Sequence, residues 1–123
     1  MEKTVVGLVE DIHIFNTEKE KSVITARIDT GATNSSIDLT LASKIRLGPV
    51  IKSIVVKSAH GTKLRPVIET EIKICDRKIK AHFTLADRSH MKYQILIGQN
   101  ILKQEFLIDP AKKVSKEVKK LWN

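Results

Sequence analysis

Cysteine occurs once, as Cys75, so no disulfide can form within the chain and no cage of several cysteines can hold a metal. Aromatic residues are 4% of the total, too few and too scattered to build the stacking platform that single-stranded nucleic acid needs. The core must therefore be made of Ile, Val and Leu. Proline (3) and glycine (5) are sparse, no Pro- or Ser-rich linker is present, and no internal repeat is visible. No apolar run approaches the length that crosses a bilayer, and Met1-Glu2-Lys3-Thr4 lacks the apolar stretch of a secretory signal. The expectation is a cytoplasmic protein with no membrane contact. Acidic side chains are outnumbered 14 to 22 by Lys and Arg, giving a formal charge of +8. Such a surface attracts polyanions, whether nucleic acid or acidic peptide, although lysines that simply face water give the same composition.

What is present is β-rich patterning over 123 residues, a length suited to one domain with a real core. Thr4 to Phe15 reads as a long or bent strand, and Ser22 to Ile28 alternates and delivers Asp29 where strand becomes loop. Thr33 to Ser36 reads as turn, and Asp38 or Thr40 is placed to cap a short helix running to Ile45. Val50 to Lys57 and Lys63 to Ile74 form two β runs around a hairpin tip at Ser58 to Thr62, a candidate flap. Lys78 to Leu85 continues the sheet. Tyr93 to Ile97 is almost wholly apolar, as a strand buried on both faces would be, and Gly98 breaks it. Gln99 to Gln104 reads as a short helix, Phe106 to Ile108 as a last strand, and 110–123 as a C-terminal helix or tail. On that tail Lys112, Lys113, Lys116, Lys119 and Lys120 form a stripe whose commoner meaning is a solvated face.

Asp29-Thr30-Gly31-Ala32 carries the chemistry. A triplet of this kind is weak alone, and a strand-end turn with Asp accepting local backbone hydrogen bonds would explain it. Its context adds weight: an apolar strand before it, Ser35-Ser36 after it, and Ile95-Leu96-Ile97-Gly98 downstream. This pairing resembles the retropepsin-like aspartic peptidases. The chain is similar in particular to the small proteins found beside RimK-type peptide ligases, often labelled "ATP-dependent zinc proteases". Further blocks carry that resemblance in order: Arg65-Pro66-Val67 leading to Thr70, Leu85 with Arg88 and Met91, then Ile108-Asp109-Pro110.

The resemblance implies an all-β closed barrel with one or two short helices, active as a homodimer and acting on a peptide in which a glutamate-rich segment is one candidate. It also implies that an apolar-apolar-Gly strand, here through Ile97 and Gly98, crosses behind the catalytic loop. Metal-free peptide hydrolysis needs one group to take a proton from water and another to protonate the carbonyl oxygen, which two carboxyls sharing a proton accomplish. One Asp-Thr-Gly supplies a single carboxyl, so Asp29 must meet its symmetry mate. Thr30 would tie one loop to the other, and Gly31 allows close backbone approach. Ala32 replaces the hydroxyl residue of pepsin-like enzymes, and with no such hydrogen bond to the ionised form the pair keeps its shared proton nearer neutrality. Activity is thus expected at mildly acidic to neutral pH.

Ala59, His60 and Gly61 are the flap candidates for covering a peptide, and Arg65 and Arg88 the candidates for gripping its carboxylates. Both arginines serve equally well in internal pairs with acidic neighbours. Thr33 and Gln99 stand where the family carries basic residues, which weakens the acidic-substrate expectation without touching the carboxylate chemistry. His13, His60, His82 and His90 are scattered, with no spacing suited to zinc, so neither metal nor other cofactor is expected. Two alternatives stay open: a catalytically silent peptide-binding or dimerisation module, and a basic nucleic-acid-binding β-barrel, for which charge is the sole support.

Overall fold

The computed structural model describes residues 2–114. Nine strands and two short helices follow in order: β1 (Thr4–Val6), β2 (Val9–Phe15), β3 (Lys21–Ile28), β4 (Ser35–Asp38), α1 (Leu39–Lys44), β5 (Val50–Ser58), β6 (Gly61–Ile74), β7 (Arg77–Ala86), β8 (Ile95–Ile97), α2 (Gln99–Leu102) and β9 (Phe106–Ile108). Alternation sets the faces: in β2, Ile12 and Ile14 are buried while Asp11, His13 and Phe15 are more exposed. Strands β2-β3-β8-β4-β7-β6 are bonded in that order, and β6 returns to β2 with Ile12 opposite Ile74 and Ile14 opposite Ile72. Six strands thereby close a barrel. Its interior is packed with isoleucine, among them Ile37, Ile68, Ile95 and Ile97, around Phe83. Each such side chain contributes about 1.5–3 kcal/mol on burial, which is how a chain poor in aromatics still builds a core.

β6 pairs with β5 from Val50 opposite Ile68 to Ser58 opposite Gly61; Val67 and Ile68 also pair with β7, while Gly61 to Pro66 leave the barrel and pair with β5 alone. The hairpin turns at Ala59 and His60, with Gly61 at φ 109, a left-handed conformation that glycine takes without strain. Outside the barrel, β1 and β9 form a two-stranded parallel sheet.

Three elements depart from the sequence reading. The expected strand from Thr4 to Phe15 is broken between Val6 and Val9. Gly7 marks the break, because a β-carbon there would lie 2.7 Å from the carbonyl oxygen of Lys112. Ser35 and Ser36, read as turn, are strand residues, and Ser35 is fully buried. Its hydroxyl is spent inside the protein rather than on water, as shown below. Residues 110–114 are turn and coil, and the rest of the expected C-terminal helix lies outside the described residues. Asp38 does cap α1, its carboxylate accepting from the Leu41 amide at 3.1 Å.

Candidate active site

β8 lies between β3 and β4, parallel to the first and antiparallel to the second. The chain leaving β3 must therefore pass over the end of β8 before it can enter β4, and residues 29–34 are that crossing. The Asp29 amide donates to the carbonyl of Ile97 at 2.9 Å, and the amides of Gln99 and Asn100 donate to the carbonyls of Ala32 and Thr33 at 2.8 and 3.2 Å. Gly98 is buried directly beneath. A β-carbon at that position would meet the carbonyl oxygens of Asn34 and Ala32 at 2.6 and 2.8 Å. Its role is steric, since only a residue without a side chain lets two backbones approach so closely.

A buried polar cluster anchors the same crossing. Asn100 accepts through Oδ1 from the Ser35 amide (2.9 Å) and the Ser35 hydroxyl (2.7 Å), and donates through Nδ2 to the carbonyl of His82 at 3.0 Å. The Ser35 hydroxyl in turn accepts from the Gly98 amide at 2.8 Å. These bonds tie β4, β7 and α2 to the end of β8. Gln99 completes the support, its side-chain amide donating to the carbonyl of Thr30 at 2.8 Å. A neutral group at position 99 thus holds the loop by hydrogen bonding alone.

Asp29 is half-buried on this scaffold. Its Oδ1 accepts from the Gly31 amide at 2.9 Å, while Oδ2 has no hydrogen-bond partner among the described residues. The carboxylate is fixed on one side and open on the other. Gly31 and Ala32 form one wall of a cleft of about 620 Å³. Its other walls come from Val55, Val56 and Lys57 of β5, Arg65 of β6, and the segment holding Asp87, Arg88 and Met91. Apolar side chains, three cationic ones and the carboxylate of Asp87 therefore line a space large enough for an extended peptide.

The two arginines differ. Arg88 is half-buried and built into the frame: its amide donates to Asp38 (2.8 Å), and its guanidinium donates to the Tyr93 carbonyl (3.2 Å) and the Ser36 hydroxyl (3.3 Å). Burial lowers the affinity of that guanidinium for its proton, and the carboxylates of Asp29 and Asp38 oppose the shift. Arg65 has no hydrogen bond or ion pair to another described residue. The expected flap residues Ala59, His60 and Gly61 form the hairpin tip and do not line the cleft within one chain. A larger cleft, about 730 Å³, lies around Lys112, Cys75 and the N-terminal strand, away from Asp29.

Sequence reasoning named Asp29, Thr30, Gly31, Ala32, Ile97, Gly98, Arg65 and Arg88 but gave no site role to Asn100, whose pairing with Ser35 spans 65 positions.

Residues 39–119 match the model of the RimB-like family, described as retropepsin-like aspartic endopeptidase RimB. The chain belongs to that family. The match begins downstream of Asp29, so RimB-like membership rests on the hairpin, β7, β8 and the closing segment rather than on the Asp-Thr-Gly triplet. Among solved structures, a Legionella pneumophila protein of unknown function is 20% identical with a TM-score of 0.63, the alignment covering 91% of this chain and 97% of that one. The simian foamy virus protease is 20% identical (TM-score 0.54, covering 76% and 89%). The EIAV protease, solved with the inhibitor HBY-793, is 18% identical (TM-score 0.58, covering 75% and 83%). These likenesses establish the fold of the RimB-like chain as that of retroviral proteases. No curated protein matches it.

Proposed function

We propose that this RimB-like protein is an aspartic endopeptidase that works as a homodimer, with Asp29 of each copy contributing one carboxyl to a shared site. The observation that carries this reading is the half-satisfied carboxylate, held by the Gly31 amide on a loop braced from below by Ile97 and Gly98. The turn at Asp109 shows the same one-oxygen bond to the amide two residues on, so what sets Asp29 apart is the braced crossing over Ile97 and Gly98 and the cleft walled by Gly31 and Ala32. The open oxygen, two residues before the Gly31–Ala32 wall of the cleft, is suited to a water molecule and to the mate's carboxyl. Of two such groups in contact, one keeps a proton; the ionised one takes a proton from water while the protonated one donates to the substrate carbonyl.

A second copy has a place to add. Thr4 donates to the carbonyl of Glu105 and Asp109 to that of Val6, so the ladder between β1 and β9 uses the backbone groups of Leu107. By alternation those of Phe106 and Ile108 point outward along an edge that no described strand covers. The facing side chains Val5 and Leu107 are both exposed. Two copies joined along β9 would form a four-stranded sheet about a two-fold axis.

The substrate is an extended peptide laid in the cleft beneath the β5–β6 hairpin, pairing as an added strand. Lys57 and the unpaired Arg65 support an acidic one, drawn in by a chain of charge +8. A peptide library that includes oligoglutamate, read by mass spectrometry, tests the reading. Hydrolysis is expected from the parent at mildly acidic to neutral pH. Asp29→Asn should dimerise as before and lose about 10²–10⁴-fold in rate. Full activity in that variant would end the proposal, and an inert parent that binds peptides would make the protein a silent module.

A further inference from the structure

The outer edge of β1, opposite β9, is occupied by charged donors. After β9 the chain turns at Asp109, whose carboxylate accepts from the Ala111 amide at 2.9 Å. The turn brings Lys112 back across the N-terminal strand, into the space that Gly7 leaves by lacking a β-carbon. There the Lys112 ammonium donates to the carbonyl of Val5 (3.0 Å), to Glu10 Oε2 (2.8 Å) and to Cys75 Sγ (3.3 Å). Glu10 is buried and also accepts from the Gly7 amide at 2.8 Å. From the first position of β7, Arg77 donates to the Glu2 carbonyl at 3.0 Å and to the Thr4 hydroxyl at 3.1 Å. Lys112 therefore does not belong to the solvated stripe expected of it, and its side chain is only 25% exposed.

We infer that Lys112 locks the outer edge of β1, so that, among the described residues, β9 is left as the one edge of the terminal sheet open to a second copy. Resting on the two-copy reading, this gives Lys112 a positioning role in assembly. An exposed strand edge accepts any complementary strand, and proteins block such edges with charge, lysine above all. A two-stranded sheet open on both sides could add copies at β1 as well as at β9, and addition at two different edges does not close. With Val5 capped, addition at β9 alone closes after two chains. The lysine is held in place by the Glu10 carboxylate, so the block is specific to this fold of the chain end.

Sedimentation velocity of the full chain tests the inference. The parent should show monomer and dimer alone, Lys112→Met should add species larger than the dimer, and Lys112→Arg, which keeps a charged donor, should remove them. A Lys112→Met size distribution identical to the parent's would overturn it. Acetylation of the parent, followed by peptide mass spectrometry, needs no variant to fold. Lys112 should react at least about tenfold more slowly than exposed Lys63, because its bonds to a carboxylate and a carbonyl must open first. Equal rates would overturn the lock. A parent that never dimerises, yet protects Lys112, would count against the homodimer reading and leave the edge block standing.

Discussion

Gly98 lies so close beneath Asn34 that a β-carbon on the glycine would be 2.6 Å from the asparagine carbonyl oxygen. The obstacle is backbone, which cannot swing aside as a side-chain tip would. Gly98→Ala must therefore lift residues 32–34 away from β8 and disturb the Asp29 amide bond to Ile97 beside it. The expected outcome is a loss of about 1–3 kcal/mol in urea unfolding, the usual cost of overpacking. Peptide hydrolysis should fall further than stability alone explains, because the carboxylate moves with its loop. A folded, fully active Gly98→Ala protein would show that the crossing tolerates displacement.

Ser35 and Asn100 give a second test of the same support. Asn100→Ala removes the acceptor of both the Ser35 amide and its hydroxyl and the donor to His82, leaving buried polar groups without partners. About 1–3 kcal/mol of stability should be lost for such a group. Asn100→Asp retains the acceptor and should lose less on the Ser35 side, while forfeiting the donation to His82. Chemical denaturation of the two variants separates them; equal, negligible losses would mean that water replaces the side chain.

Much of this architecture was legible before any coordinates. Asp29 at a strand end, the apolar run into Gly98, the β5–β6 hairpin and the Asp38 cap are local patterns, each set by a few neighbouring residues. The Ser35–Asn100 pair was not legible because the bond exists only once β8 is threaded between β3 and β4. On sequence alone, serines beside Asn34 have the composition of a turn, and Asn100 is one more polar residue near a helix start. Lys112 was misassigned for a related reason: a lysine among lysines looks solvated until the fold supplies Glu10 and the Val5 carbonyl. Gly7 likewise gains its meaning from a chain segment over a hundred residues away, reflected in the 107 positions between Lys112 and Val5.

The arginines should part under mutation. Arg88 donates to Tyr93 and Ser36 and lies half-buried, so Arg88→Ala is expected to cost about 1–3 kcal/mol by leaving those acceptors unpaired. Arg65 faces the cleft with no partner among the described residues, so Arg65→Ala should leave unfolding within about 0.5 kcal/mol of the parent. Its effect should appear in KM for an acidic peptide, with a smaller effect for a neutral one. A KM change of equal size for both peptides would remove Arg65 from carboxylate recognition.

Alkaline pH isolates the contribution of Lys112. Burial works against its ammonium and is the largest single influence, but the hydrogen bonds and charge attraction of Glu10 and Cys75 together raise its pKa above the ordinary 10.5. The folded state thus holds this proton more tightly than the unfolded chain does. Stability from the pairing is fully present below 10.5 and is lost as the pH climbs through the higher folded-state value. Urea unfolding from about pH 8 to about pH 12 should show the parent losing more stability than Lys112→Met over the upper part of that range. Other lysines titrate alike in both proteins, so the difference between the two curves belongs to Lys112 together with the Cys75 thiol it contacts, which burial pushes up and Lys112 pulls down. Parallel curves throughout would mean that the ammonium holds its proton no more tightly in the folded protein than in the unfolded chain.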